Sequence, residues 1–174
     1  MAETVITVFG SGRARPGDAR FELARELGQA LAGAGLTIAN GGYGGTMLAG
    51  AQGAGQAGGQ VIGVTCSAFK SSKPNQYVTR EIVTASLDER LDTLIALGAG
   101  YVVLPGGTGT LLELAKVWEL RNKGFADARK EIILLGGFWR PLVDLMAVDD
   151  ADSGNYVTLA DDPQAAVKLL KAAI

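Results

Sequence analysis

The chain contains no histidine and a single cysteine, Cys66. Without an imidazole, Ser-His-Asp and Cys-His catalysis are excluded, and so is any metal site built on histidine. Acid–base chemistry must come from carboxylates, lysine, tyrosine or a group of the substrate itself. One cysteine cannot build an internal disulfide framework, which fits a reducing, cytoplasmic setting. Coming after an apolar run, Cys66 reads as a small buried hydrophobe. Excess basic charge is also missing: 16 Lys+Arg against 18 Asp+Glu leave a net charge of −2, so no nucleic-acid partner is expected. No run of about 18 apolar residues occurs, because Gly98 and Gly100 interrupt Leu94–Leu104, and no membrane association is expected. Met1-Ala2-Glu3-Thr4 lacks the basic start and apolar centre of a signal peptide.

Glycine, by contrast, is abundant, at 25 of 174 residues. Apolar strand-like runs at Thr4–Phe9, Leu36–Ala39, Gln60–Thr65, Gly100–Leu104 and Glu131–Leu135 alternate with helical patterns. Those helices are expected near Asp18–Ala34, Thr46–Ala57, Leu87–Leu97, Thr110–Lys123, Trp139–Ala147 and Pro163–Ala173. Val78–Thr84 reads as extended and Tyr156–Leu159 as a short strand. Continuous apolar strands joined by helices predict an α/β fold, a Rossmann-like three-layer sandwich with a mostly parallel central sheet. At this length, residues 1–174 are expected to form a single nucleotide-binding domain. Ser67–Tyr77, polar and containing Pro74, reads as an exposed loop or a lid.

Ligands in such sheets sit beyond the carboxyl ends of the strands. Glycine turns fall there after Phe9, after Ala39 and after Leu104. The last, Pro105-Gly106-Gly107-Thr108-Gly109-Thr110, leads from strand to helix, where converging N–H groups and the helix dipole favour an anion. Gly106, Gly107 and Gly109 remove side chains from the approach of a phosphate. Thr110 adds a hydroxyl, and Glu113 follows one turn later on the same helix face. Thr110-x-x-Glu113 is equally the pattern of a capping box, a purely structural role.

A dinucleotide site fits poorly. Gly10-Ser11-Gly12 opens the pattern, but Arg15 occupies the third glycine position, and Asn40 stands where a ribose-binding acid belongs. No Gly-Lys-Ser/Thr follows any glycine turn, which argues against a P-loop. The second turn, Asn40-Gly41-Gly42-Tyr43-Gly44-Gly45-Thr46-Met47, reads both as a phosphate or sugar platform and as close packing of the helix after it. Lysine decarboxylation has little support, because Lys116, Lys123 and Lys130 lie in solvated patterns.

These motifs resemble those of the LONELY GUY (LOG) family, the cytokinin riboside 5′-monophosphate phosphoribohydrolases. The family's Pro-Gly-Gly-x-Gly-Thr-x-x-Glu is met in full by Pro105, Gly106, Gly107, Gly109, Thr110 and Glu113. Its Gly-Gly-Gly-x-x-Gly-x-Met is similar to Asn40–Met47, with Asn40 in place of the first glycine. Its Gly-Ser-Ser is similar to Gly10-Ser11-Gly12. Its catalytic arginine falls on Arg90, with Asp88 and Leu91 where the family carries histidine and lysine.

The resemblance implies hydrolysis of the N-glycosidic bond of AMP or an N6-modified AMP, giving free base and ribose 5-phosphate. Glu113 would steady the ribose cation or orient water, and Arg90 would set that carboxylate's charge and position. Gly106, Gly107, Thr108, Gly109 and Thr110 would hold the phosphate, aided by Ser11, Gly41, Gly42 and Gly45. Arg80 is a weaker second candidate for phosphate or base. No metal or other cofactor is required, and a homodimer is implied. The alternative is a non-catalytic nucleotide-binding or sensing protein using the same turns.

Overall fold

The structure is a computed structural model that describes residues 3–70 and 73–174. Positions 71–72 of the predicted Ser67–Tyr77 loop, and Met1 and Ala2, lie outside the described residues. Seven strands form one sheet: β1 (Val5–Phe9), β2 (Thr37–Asn40), β3 (Val61–Cys66), β4 (Arg80–Thr84), β5 (Gly100–Val103), β6 (Ile132–Leu135) and β7 (Thr158–Ala160). Their order is β4-β3-β2-β1-β5-β6-β7, and every neighbouring pair is parallel. Six helices accompany the sheet: α1 (Ala19–Gly33), α2 (Thr46–Gln56), α3 (Leu87–Leu97), α4 (Thr108–Asn122), α5 (Arg140–Met146) and, after the last strand, α6 (Pro163–Ala173).

Alternation along the strands builds two cores. Ile6, Val8, Val102, Leu104, Ile133 and Leu135 face one side and pack with α1, α2 and α6. Val5, Phe9, Tyr101, Val103, Ile132 and Leu134 face the other and pack with residues of α3 and α4. A sheet buried on both faces needs apolar residues at every position, which is why these strands read as unbroken hydrophobic runs. Edge strand β4 is largely exposed, so its sequence carried only an extended signal. Small residues set the helix spacing: a side chain at Gly28 would strike the Gly50 backbone, and one at Gly53 would strike Arg25. Gly50 and Gly53 of α2 therefore serve its contact with α1, while Ala49, Ala51 and Ala54 join the core on this face of the sheet.

Two element starts and one helix cap differ from expectation. Helix α4 begins at Thr108, two residues early, because extended Gly107 takes the N-cap and its carbonyl accepts from Leu111 N–H at 2.9 Å. No side chain caps this helix, so Thr110 and Glu113 do not form a capping box. A reciprocal cap close to that pattern lies at α3, where Ser86 accepts from Glu89 N–H and the Glu89 carboxylate accepts from the N–H of Ala85, just before the N-cap, at 2.7 Å. Finally, Tyr156 belongs to a 3-10 turn (Ser153–Tyr156) and β7 starts later, because hydrogen bonds from Ser153 and Asn155 back to Asp150 and Asp152 curl this segment.

Candidate functional site

The chain runs outward from β1 toward β2 on one side and places β5 on the other, so this is the sheet's topological switch point. Leu104 N–H donates to Phe9 O at 2.9 Å, setting the exits of β1 and β5 side by side. Helix α1 then covers one face of the sheet and α4 the other. The parting leaves a crevice at the carboxyl ends, the position where ligands bind in such sheets. An open cleft of about 730 Å³ occupies it, within the ~300–1,000 Å³ typical of small-molecule sites.

One wall is the turn from Gly106 to Thr110. Trp139 Nε1–H donates to Leu104 O at 3.0 Å and pins the turn's base. Beyond it the first amides of α4 have no side-chain cap. A Cβ built on Gly107 or Gly109 would meet nothing within 4 Å, so the space over these amides is open. Thr110, only 3% exposed, packs beneath Gly106. Ser11, on the opposite wall, accepts from Arg13 N–H at 3.1 Å through Oγ, which leaves its hydroxyl proton available to the cleft. Uncapped helix amides, two hydroxyls and no covering side chain are the features that can receive an anion at a helix N-terminus.

Glu113 and Arg90 line the same cleft. Glu113 is half-buried, and desolvation pushes its carboxyl up to about 7, a rise that the positive charge of Arg90 partly offsets. The two act through space without forming an ion pair. Arg90 is 8% exposed and held from three sides. Its Nε–H donates to Val64 O at 2.8 Å, and the guanidinium carbon lies 5.6 Å from the Tyr43 ring centre and 5.5 Å from that of Phe69. Tyr43 is fixed in turn by its hydroxyl, which accepts from Cys66 N–H at 2.8 Å. Arg90 is thus turned inward, while the carboxylate of its helix neighbour Glu89 is committed to the α3 cap.

The second glycine turn stands behind the cleft wall. Asn40 closes it, accepting from Gly42 N–H at 2.8 Å and donating to Met47 O at 3.1 Å. A side chain on Gly41 would fall on the Arg90 guanidinium, and one on Gly45 (φ +65°) would strike the backbone of Ser11 and Gly12. Gly42 backs onto Gly63 and Thr65. The three glycines bring Arg90 and the first loop into place, while Tyr43 and Met47 supply the lining. Arg80 lies elsewhere: it begins β4 at the opposite end of the sheet and pairs with Glu3 at 3.0 Å.

Sequence reasoning missed Arg13, Arg20 and Phe69, all of which line the cleft. The first two sit in and just after a glycine loop following a strand, a placement that could have flagged them. Phe69 belongs to the Ser67–Tyr77 loop, which is stitched to the second turn by Asn75 Nδ2 donating to Gly42 O at 3.1 Å and to Tyr43 O at 2.9 Å. Cys66 is fully buried at the end of β3. Among the described residues no cluster of three acidic or cysteine side chains could hold a metal ion, and no helix is long and apolar enough to cross a membrane.

Fold and cleft together define a Rossmann-like α/β protein with an open, glycine-lined cleft at its switch point. Residues 47–170 match the family described as "Possible lysine decarboxylase", and the chain belongs to this family, that of the LOG proteins. A cytokinin riboside 5′-monophosphate phosphoribohydrolase of Mycobacterium tuberculosis is 37% identical over 128 residues. That match takes in 68% of this chain but only 63% of the relative, under two thirds of its length. A protein of the same name from Rhodococcoides fascians is 29% identical over 160 residues, covering 89% of this chain and 79% of that one. Among solved structures, the molybdenum cofactor binding protein of Rippkaea orientalis superimposes with a TM-score of 0.82 at 28% identity, over 99% of this chain and 98% of the other. The molybdenum cofactor carrier protein of Chlamydomonas reinhardtii gives 0.80 at 27% identity over the same shares.

Proposed function

We propose that the chain is a nucleoside 5′-monophosphate phosphoribohydrolase, hydrolysing the N-glycosidic bond of AMP or an N6-modified AMP to free base and ribose 5-phosphate. The observation that carries this reading is the position of Glu113. A carboxyl desolvated to about 7 stands one helical turn beyond uncapped amides, in the field of a buried arginine. Holding the 5′-phosphate on Gly106, Gly107, Thr108, Gly109 and Thr110, with help from the Ser11 hydroxyl, fixes the ribose and lowers the entropy still to be lost at the barrier. Cleavage of the C1′–N bond builds positive charge on the ribose ring. Ionised Glu113 offsets that charge and orients water, whose oxygen bonds to C1′ while a proton passes to the departing base. The positive charge of Arg90 favours the ionised carboxylate and partly offsets the effect of burial. The names of the curated relatives support the same activity.

Lysine decarboxylation fits less well than the family's description suggests. No lysine is found among the cleft-lining residues. Lys116 pairs with Asp92 and Lys123 with Glu119, each at 3.6 Å on the surface. A homodimer is part of the proposal; Leu111, Leu145 and Met146 leave apolar surface on α4 and α5 exposed, which supports it.

Purified protein given AMP or N6-modified AMP should release free base and ribose 5-phosphate, detected chromatographically. Glu113→Gln should slow release at least ~100-fold, the scale of a lost acid–base or electrostatic group. Binding without release would discard the enzyme reading. A second reading, a non-catalytic carrier, is favoured by the full-length similarity to molybdenum cofactor binding proteins. It predicts no base release and retention of molybdenum cofactor through gel filtration.

A further inference from the structure

We propose that Arg13 and Arg20 form a second anion subsite beside the phosphate turn, so that the cleft also accepts nucleoside 5′-diphosphates, with the outer phosphoryl group on these two arginines. The inference rests on the reading above that the turn at Gly106–Thr110 seats a 5′-phosphate.

Three observations carry it. The cleft-lining residues include three arginines, at 13, 20 and 90, against one carboxylate, Glu113, although the whole chain carries a net charge of −2. Only Arg90 has work assigned to it. Arg13 and Arg20 meet no carboxylate within ion-pair distance among the described residues, and the nearby acids are turned elsewhere. Asp18 accepts from Arg15 N–H at 2.9 Å, and Glu22 pairs with Arg25 at 2.8 Å. Arg20 also occupies the first turn of α1, where the helix dipole disfavours a cation. A cation against the dipole, without a carboxylate partner and lining a cavity, is the arrangement expected of a ligand-binding group.

The topology points to a directly linked second phosphoryl. Arg13 lies on the loop leaving β1 and Arg20 at the start of α1, while the seat leaves β5, and β1 and β5 are hydrogen-bonded neighbours. An anion joined to the seated phosphate therefore reaches the arginines, whose planar forks bind phosphate oxygens in pairs.

Calorimetry at fixed ionic strength with AMP, ADP and adenosine 3′,5′-bisphosphate tests this on the full chain. The wild type should bind ADP at least about tenfold more tightly than AMP, a gain of ~1.4 kcal/mol. The bisphosphate should gain less than ADP. In an Arg13→Gln/Arg20→Gln variant the ADP-to-AMP ratio should fall to about one. Arg15→Gln, which changes a charge outside the cleft, should keep the wild-type ratio. A wild-type ratio near one, a ratio unchanged in the double variant, or an equal gain with the bisphosphate each overturns the subsite. Absence of binding by both AMP and ADP overturns the underlying seat as well. AMP binding without base release overturns only the enzymatic reading.

Discussion

The Nε–H of Arg90 donates to the backbone carbonyl of Val64 at 2.8 Å, which ties a cleft-lining cation on α3 to the interior of β3. That bond, with the two flanking rings, fixes the plane of the guanidinium as well as its charge. Lysine can supply the charge but not the planar fork, the Nε donor or the stacking. Arg90→Lys should therefore lower kcat/KM for base release about 100-fold, while circular dichroism and the melting temperature change little. Near-wild-type turnover in this variant would reduce Arg90 to a source of field alone.

The carboxyl of Glu113 titrates near 7 because burial penalises its charged form. If the ionised form works, kcat/KM should fall about tenfold per pH unit below about 7 and level off above it. A seated phosphate brings more negative charge to the cleft, so the inflection in kcat should lie higher than that in kcat/KM. Glu113→Gln should abolish this limb of the profile. A limb that persists in the variant would assign the titration to another group or to the substrate.

The same burial has a stability consequence whose sign is opposite to that of a salt-bridged acid. The folded protein holds the Glu113 proton more tightly than the unfolded chain, since its carboxyl is raised from 4.5 to about 7. Stability is therefore undiminished below the unfolded value and is lost as pH rises through about 7. At ~1.36 kcal/mol per pKa unit, and discounting for partial exposure, the loss amounts to about 1–3 kcal/mol by about pH 8.5. Glu113→Gln cannot ionise, so it should be more stable than the wild type at that pH and nearly equal to it at about pH 4.5. Equal urea midpoints at both pH values would remove the desolvation argument.

Much of this was legible in the residues alone. Buried parallel strands need apolar residues at every position, so the five inner strands could be read as continuous runs, whereas the edge strands β4 and β7 gave weaker signals. The turn proposed for the phosphate stood out as a glycine motif between a strand and a helix, and in the structure Gly107 and Gly109 have open space where a Cβ would stand. Gly41 and Gly45 carry the same letter for a different reason, close approach of Arg90 and of the first loop, and only three-dimensional placement separates the two uses. Phe69 could not be found from sequence, since its role depends on a loop folding back over a turn some 25 residues earlier. Arg80 was misassigned because a strand's pattern does not reveal which end faces the ligand.

That difference between glycines leads to a test in which stability and function should separate. Gly109 lies in the exposed first turn of α4 with nothing within 4 Å of a built Cβ. Alanine loses less backbone entropy in a helix than glycine, so Gly109→Ala should stabilise the fold by about 0.5–1 kcal/mol. The new methyl group would stand over the amides assigned to the phosphate. Gly109→Ala should accordingly raise the melting temperature while weakening AMP binding at least tenfold, measured by scanning and titration calorimetry on one preparation. A more stable variant that binds AMP as well as the wild type would show that the ligand does not rest on this turn.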